Sequence, residues 1–186
     1  MNVPATVGGR ERLRLFCALR LPTDVVDELS SWQAETFADA AGVRVLGREQ
    51  LHVTLAFLGH RPAGELDAIA TELEGAARAA GPATLTVNGY RETRSVAMLV
   101  CHDTGGNAAS LAVDLHRRLE RLGVYEPERR EWLPHITVVR FRTRPRLQPS
   151  LPELEVVTSE AAVYMSVLRP SGAQYEVLQS VALGGS

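Results

Sequence analysis

Two short segments of the chain place an imidazole and a hydroxyl at the same spacing. Residues 51–57 read Leu-His-Val-Thr-Leu-Ala-Phe, and residues 134–140 read Pro-His-Ile-Thr-Val-Val-Arg. Alternate side chains of an extended strand project to the same face. Each segment therefore predicts a strand that presents an imidazole beside a hydroxyl on one face and apolar side chains on the other.

The alternation assigns individual side chains to the two faces of each strand. His52 and Thr54 are expected to stand together on one face. Val53, Leu55 and Phe57 are expected to pack into a core behind them. In the second copy, the exposed pair is His135 with Thr137 and the buried pair is Ile136 with Val138.

Two imidazoles can perform acid–base chemistry without a metal ion. An unperturbed histidine titrates at a pH of about 6.5, so one can accept a proton while another, held protonated by a nearby anion, donates one. In-line displacement at phosphorus needs both, because one group activates the incoming oxygen and another protonates the leaving oxygen on the opposite side. The threonine hydroxyls can hydrogen-bond the non-bridging phosphate oxygens, and a guanidinium can stabilise their charge.

The pair of motifs is a much stronger signal than either copy alone. Composition by itself would produce one His-x-Thr followed by an apolar residue roughly one time in seven, and two about one time in a hundred. Either histidine alone would be interpreted as a structural residue, whereas the pair predicts a catalytic site. The remaining histidines stand alone and are interpreted as surface or capping residues; they are His60, His102 and His116.

The basic residues are all arginines, although the chain is slightly acidic overall. There are 20 of them, no lysine, and a net charge of −2. A negative net charge argues against a protein that holds long polyanions. Arginines are nevertheless dense around the second motif, and guanidinium groups match phosphate oxygens with two parallel hydrogen bonds. This group comprises Arg129, Arg130, Arg140, Arg142, Arg144 and Arg146.

The sequence lacks the residue patterns that other reaction chemistries require. No HExxH or Cys-x-x-Cys segment is present, so neither a catalytic metal nor another cofactor is expected. The absence of lysine excludes P-loop NTPases, and the Gly-x-Ser-x-Gly segment of a nucleophile elbow is missing. Cys17 and Cys101 lie in apolar runs and are expected to be buried free thiols.

Periodicity predicts an α+β chain in which both halves contain strands, a helix and one His-x-Thr strand. That order is typical of a duplicated unit. Strands are predicted at 12–19, around both motifs, and at 84–87, 96–101, 160–168 and 175–183. Helices are predicted at about 24–38, 64–80 and 107–122.

Size and composition predict one folded domain. The chain has 186 residues, of which 45% are apolar. Residues 1–11 lack periodicity and are expected to form a disordered tail, which leaves 12–186 as a single domain of two lobes. No apolar run reaches the roughly 18 residues of a membrane span. Since no signal peptide is recognisable either, a cytoplasmic protein without membrane association is expected.

These segments resemble the two-histidine (2H) phosphoesterase superfamily, in particular its LigT-like branch of bacterial and archaeal RNA 2',3'-cyclic phosphodiesterases. The resemblance extends from about residue 13 to residue 183. It implies a bilobal, pseudo-duplicated α+β fold in which two antiparallel sheets face each other across a central cleft, with helices on the outside. The matching segments, in order, are 14–22, 51–59, 134–140 and 166–168, followed by Gly172 and Tyr175.

The resemblance also implies an activity and a role for each motif residue. The family opens terminal RNA 2',3'-cyclic phosphates to 2'-phosphomonoesters without metal or cofactor. His52 would protonate the leaving 3'-oxygen and His135 would activate water. Thr54 and Thr137 would hold the phosphate, with Arg140 as the guanidinium. The partner would be an RNA end or nucleotide bearing the cyclic phosphate, and a monomer without an obligate protein partner is expected.

Two further assignments depend on strand geometry. Arg140 follows His135 by five residues, so strict alternation sends it to the opposite face unless a bulge or the end of the strand turns it inward. Phe16 lies on the strand face opposite the apolar residues 13, 15 and 17. If that face looks into the cleft, Phe16 is available to stack on a nucleobase; the alternative is core packing.

Alternative functions remain open beside the cyclic phosphodiesterase. One keeps the two-histidine chemistry but acts on 2'-5' linkages, as a ligase or phosphodiesterase, or on small cyclic nucleotide phosphates. Another is a non-catalytic RNA-binding module, because paired sheets can serve as stacking platforms. The aromatic content of 5% and the negative net charge argue against the binding module.

Overall fold

The computed structural model describes residues 11–170 and 172–184, in which an antiparallel sheet packs against three helices. The helices are α1 (Thr23–Thr36), α2 (Leu66–Ala79) and α3 (Asn107–Arg121). Short 3-10 turns cover Arg48–Gln50 and Ala63–Glu65. The strands are β1 (Arg12–Arg20), β2 (Val43–Val45), β3 (His52–Pro62), β4 (Ala83–Glu92), β5 (Val96–Thr104), β6 (His135–Phe141), β7 (Glu155–Thr158), β8 (Glu160–Arg169) and β9 (Gly172–Ala182).

The sheet consists of two halves that meet at the motif strands. The strand order is β7-β4-β5-β6-β3-β1-β8-β9, with β2 added to the end of β6. A single residue pair, Val53 with Ile136, joins β3 to β6. The family resemblance implied two sheets that face each other; in the structure the two halves are hydrogen-bonded into one sheet through this narrow junction. The junction forms because the central apolar residues of the two motifs are both fully buried side by side.

Most elements lie where their periodicity predicts them, and the α+β class is confirmed. β4 continues well beyond the predicted 84–87, and β7 and the two 3-10 turns were not predicted. The predicted tail lies outside the described residues except for residue 11. None of the described helices is long and apolar enough to cross a membrane.

The core lies between the helices and one face of the sheet. Each helix contributes an apolar stripe, such as Leu111, Leu115 and Leu119 of α3, all at most 2% exposed.

Both cysteines are buried free thiols, as predicted, and burial raises their thiol pKa values to about 12. They are therefore uncharged and unreactive at neutral pH.

A buried carboxylate fixes the loop that follows β6. The Glu92 side chain is 2% exposed and accepts hydrogen bonds from the backbone N–H groups of Arg146 (2.9 Å) and Leu147 (2.7 Å). Arg144 Nε (3.0 Å) and the Tyr90 hydroxyl (3.2 Å) are the other donors. Burial alone would raise the pKa of Glu92, but these donors outweigh it and hold the pKa below its usual value. A depression of about 450 Å³ lies here, and its one carboxylate, Glu92, is already paired with Arg144.

Replacing Glu92 by glutamine is expected to lower the free energy of unfolding by about 1–3 kcal/mol at pH 7, because the charged acceptor of several buried donors is lost. Urea denaturation measures this. Since a lowered pKa stabilises the fold only while the carboxylate is ionised, the difference from wild type should shrink as the pH falls below about 4. Glu74→Gln, in an exposed ion pair with Arg78, serves as the control and should change stability little. Equal losses in both variants would contradict this account of Glu92.

Candidate active site

The two motifs meet where β3 and β6 run antiparallel. Val53 lies opposite Ile136, and both point into the core. Residues on either side of an opposed pair project to the other face of the sheet. The histidine and threonine of each motif therefore face away from the core on a shared surface, called here the motif face. This register sets His52 beside Thr137 and Thr54 beside His135.

Both imidazoles are held by equivalent hydrogen bonds. His52 Nδ1 lies 2.8 Å from the Gln50 carbonyl, and His135 Nδ1 lies 2.8 Å from the Leu133 carbonyl. A carbonyl oxygen only accepts, so Nδ1 carries the hydrogen in both rings and Nε2 is the nitrogen left for proton transfer. Nε2 of His52 is 3.1 Å from the Thr54 hydroxyl, which donates to it while the ring is neutral.

A bulge in β6 turns Arg140 toward the motif face. The pairing of β6 with β5 skips Val138, so Val138 and Val139 are both fully buried. Alternation resumes one residue late, and Arg140 shares a face with Thr137 instead of lying opposite to it. The bulge that the sequence analysis required for an inward Arg140 is therefore present, and Arg140 lines a cavity on the motif face.

β3 has a bulge at the equivalent position. Its pairing with β1 skips Leu55, and Leu55 and Ala56 are both 2% exposed. The shift brings Phe57 to the motif face, where it lines the cavity and is 46% exposed. The prediction that Phe57 packs in the core was wrong because strict alternation does not account for the bulge. Phe57 and Arg140 occupy equivalent positions, five residues after their histidines.

Side chains from two helices bind the carbonyls that these bulges free from the sheet. His116 of α3 donates from Nε2 to the Leu55 carbonyl at 2.7 Å. Gln33 of α1 is 1% exposed and donates from Nε2 to the Val138 carbonyl at 2.7 Å. The backbone N–H of Leu46 is a second donor to Val138, at 3.0 Å. Each bulge is thus held by a polar side chain from a helix.

Sequence reasoning missed the residues that support the motif strands. His116 was interpreted as a surface or capping residue, but it stacks on Tyr125 with ring centroids 4.7 Å apart and holds β3. Trp132 donates from its indole to the Thr54 carbonyl at 2.9 Å. Gln33 left a readable signal, because it continues the buried stripe of Val25 and Leu29 at helical spacing. A polar residue in an apolar stripe indicates a buried hydrogen bond.

The cavity on the motif face has a volume of about 270 Å³ and is suited to an anion. It contains two guanidinium groups and no carboxylate. His135 is not among its lining residues, although it is close enough to act electrostatically on His52. The lining residues are Arg14, Phe16, Leu46, Gln50, His52, Thr54, Phe57, Thr137, Arg140 and Tyr175.

His52 packs against a cluster of aromatic rings. Its ring centroid lies 4.9 Å from Phe16, 5.4 Å from Tyr175 and 5.8 Å from Tyr164. Phe16 is only 3% exposed, because it stacks on Tyr164 and meets Tyr175 edge-on. No face of the Phe16 ring is open to a nucleobase, which corrects the predicted base stacking. Phe16 instead packs against the imidazole.

Burial lowers the pKa of His52 to about 4. Burial among the aromatic rings disfavours the imidazolium, and electrostatic interaction with His135 and Arg140 lowers the pKa of His52 further. The hydrogen bond to the Gln50 carbonyl acts in the opposite direction without compensating. His52 is therefore neutral at pH 7 while the cavity holds no anion.

Arg14 contributes the second guanidinium of the cavity. Its Nη1 donates to the Ser166 hydroxyl at 2.9 Å, and its Cζ lies 4.7 Å from the centre of the Phe57 ring. A cation at this distance from an aromatic face is stabilising.

Across residues 11–170 and 172–184, no three His, Cys, Asp or Glu side chains converge as a metal site would require.

Comparison with known sequences finds a family and several relatives. The model of the 2'-5' RNA ligase superfamily matches residues 21–168. An RNA 2',3'-cyclic phosphodiesterase of Thermus thermophilus is 31% identical over 182 residues, which cover 93% of this chain and 91% of the relative. An RNA 2',3'-cyclic phosphodiesterase of Escherichia coli K12 is 33% identical over 132 residues, covering 70% and 73%.

Solved structures share the fold. A crystal structure of a protein from Thermus thermophilus aligns with a TM-score of 0.81 at 30% identity, covering 93% of this chain and 99% of that one. The crystal structure of Escherichia coli LigT complexed with 3'-AMP aligns with a TM-score of 0.78 at 27% identity, covering 94% and 100%. The arrangement of strands and helices described above is thus found in experimental structures.

Gln33→Leu is expected to lower the free energy of unfolding by about 1–3 kcal/mol, because the buried Val138 carbonyl loses one of its two donors. Urea denaturation at neutral pH measures the loss. Gln179→Leu, at an exposed position of β9, is the matched control and should be close to neutral. A Gln33 variant as stable as the control would show that the bulge does not need this donor.

The lowered pKa of His52 predicts a pH-dependent loss of stability. The unfolded chain binds a proton at His52 near pH 6.5, whereas the folded chain does so only near pH 4. The free energy of unfolding of the wild type should therefore fall by on the order of 2 kcal/mol more than that of His52→Asn as the pH falls through this window. Denaturation of both proteins between pH 4 and 7 tests this. Parallel pH profiles would mean that the pKa of His52 is not lowered.

Proposed function

The chain belongs to the 2'-5' RNA ligase superfamily, and from that premise we propose that it hydrolyses terminal 2',3'-cyclic phosphates of RNA to 2'-phosphomonoesters. The relatives named RNA 2',3'-cyclic phosphodiesterase support the activity. The strongest structural support is the equivalence of the two histidines. Each donates from Nδ1 to a carbonyl two residues earlier and keeps Nε2 for proton transfer on the motif face.

In this reaction a water oxygen attacks phosphorus while the bond to the 3'-oxygen breaks. His135 Nε2 accepts the proton of the attacking water, and His52 Nε2 gives a proton to the leaving 3'-oxygen. The products are a 2'-phosphomonoester and a free 3'-hydroxyl. The reaction leaves His135 protonated and His52 neutral, so both rings exchange a proton with solvent before the next turnover.

For His52 to act as the acid, substrate binding must raise the pKa of His52 so that its imidazole becomes protonated. Arg140 and the second imidazole hold the pKa of His52 low in the free site, together with burial. A bound cyclic phosphate carries a negative charge that opposes these positive charges and favours the imidazolium. Protonation of His52 also frees the Thr54 hydroxyl, which then hydrogen-bonds a phosphate oxygen. Substrate binding thus prepares the acid.

The remaining cavity residues hold the phosphate in place. Thr137 and Thr54 provide a hydroxyl from each motif, and Arg140 provides a guanidinium for the charge that develops on the non-bridging oxygens. Phe57 lines the cavity beside this position with 46% of its surface exposed, and it binds the base.

We further propose that the two halves of the sheet are the facing walls of one cleft and descend from a duplicated unit. Equivalent bulges and equivalent helix donors to their carbonyls support this. Because one chain supplies both motifs, the proposal includes a monomeric enzyme. Since RNA ends arise inside cells, it also includes the cytoplasmic location predicted from the sequence.

His52→Ala and His135→Ala should each lower kcat/KM for adenosine 2',3'-cyclic phosphate by on the order of 10²-fold or more, measured with excess chelator. His60→Ala removes an exposed imidazole outside the cavity and serves as the control, with activity unchanged. Chromatography of the products should identify the 2'-phosphate and also detects any 2'-5' joining. Full turnover by either motif variant would reject two-histidine catalysis.

A substrate with sulfur in place of the 3'-oxygen separates acid from base. A thiolate leaves without protonation, so His52→Ala should recover most of its loss on this substrate while His135→Ala should not. Recovery by His135→Ala instead would reverse the two roles.

A further inference from the structure

The motif face continues beyond β6 onto β5 and β4. Opposed residues of neighbouring antiparallel strands project to the same side, so the pairing extends each motif row across the sheet. The row of Thr137 continues through Met98 to Arg91. The row of His135 continues through Val100 to Gly89. We refer to this part of the motif face, Gly89, Arg91, Met98 and Val100, as the shelf; Arg91 is exposed, Gly89 and Val100 are partly exposed, and Met98 is 8% exposed.

Arg91 provides an uncommitted positive charge on the shelf. Its side chain is exposed and has no hydrogen bond or ion pair with any residue in the described part of the chain. Its neighbour Glu92 faces the core instead, where Arg144 already binds it. Strands are about 4.8 Å apart, so Arg91 stands roughly 10 Å from Thr137 along the row.

Gly89 is the one position of the shelf without a side chain, and it lies on the row of His135. Its φ is outside the left-handed region, so the backbone does not require glycine there. A Cβ added at this position would lie 3.5 Å from the Val100 Cβ, which is an ordinary contact. Neither strain nor crowding therefore explains the glycine. Its effect is that the row of His135 ends on β4 without a side chain.

The opposite side of the cavity offers no comparable exit. Phe16 and Tyr164 are 3% and 6% exposed, and with Tyr175 they close that wall around His52. A polynucleotide whose terminal phosphate occupies the cavity leaves it over the side away from these rings, where Arg91 is exposed. That side is the shelf.

We propose that the shelf binds the nucleotide on the 5' side of the terminal one, with the Arg91 guanidinium on the phosphate that links the two. The inference rests on the proposed function and specifies its substrate class as RNA chains in preference to mononucleotides. A guanidinium fork matches the two non-bridging oxygens of a phosphodiester. The contact is made only when a second nucleotide is present, so it selects for chain length and not for the cyclic phosphate itself.

The test compares adenosine 2',3'-cyclic phosphate with a trinucleotide that ends in the same group. Arg91→Gln should lower kcat/KM for the trinucleotide about tenfold, through KM, and leave the mononucleotide unchanged. The slope of log kcat/KM against log salt should fall by about one for the trinucleotide only. Arg121→Gln, at an exposed position of α3, is the matched control and should change neither substrate.

Gly89→Val provides a second variant by placing a side chain on the floor of the shelf. It should also slow the trinucleotide selectively, and an unchanged circular dichroism spectrum would show that the fold is intact. Equal effects of Arg91→Gln on both substrates, or no effect on the trinucleotide, would overturn the proposal.

A binding measurement separates failure of the shelf from failure of the proposed function. The probe is a trinucleotide that ends in a 2'-phosphate, which is not turned over. Wild type that hydrolyses neither substrate would reject the proposed function. Weaker binding of the probe by Arg91→Gln than by wild type would still support the shelf in that case, and equal binding would overturn it.

Discussion

In each motif strand, one residue is out of step with the neighbouring strand, and its carbonyl is bound by a side chain from a helix. These two bulges decide which residues reach the motif face. Without them, strict alternation would send Arg140 and Phe57 into the core side of the sheet. With them, two copies of a short sequence provide imidazole, hydroxyl and one further side chain each on the same surface. The donors Gln33 and His116 make the arrangement compatible with burial, because an unsatisfied carbonyl there would cost about 1–3 kcal/mol.

The electrostatics of the cavity follow from the same geometry. Arg14 and Arg140 concentrate positive potential in a small volume that has no carboxylate among its lining residues. The aromatic cluster around His52 excludes water and keeps that ring neutral until an anion arrives. A chain with a net charge of −2 can therefore present a strongly anion-selective site. The net charge is a property of the whole surface, whereas the charged side chains that line the cavity determine which ligand it binds.

The sequence predicted the fold class, most elements and the shared strand face of the four motif residues, because period-two alternation is strong in β3 and β6. It could not predict the bulges, since an inserted residue leaves no signature in composition or periodicity. Phe57 was misplaced for this reason, and Arg140 could only be assigned conditionally. Phe16 was placed on the correct face, but its burial depends on Tyr164 and Tyr175, which lie far away in the chain. The support from Trp132 and His116 likewise depends on tertiary contacts that local patterns do not encode.

In the proposed reaction, both motifs bind the same phosphate. The most direct measurement is a crystal structure of the protein with a nucleoside 2'-phosphate, the product of the proposed reaction. The account predicts that the phosphate oxygens lie within hydrogen-bonding distance of Nε2 of both His52 and His135 and of the hydroxyls of Thr54 and Thr137. A phosphate bound by only one motif, or bound outside the motif face, would contradict it.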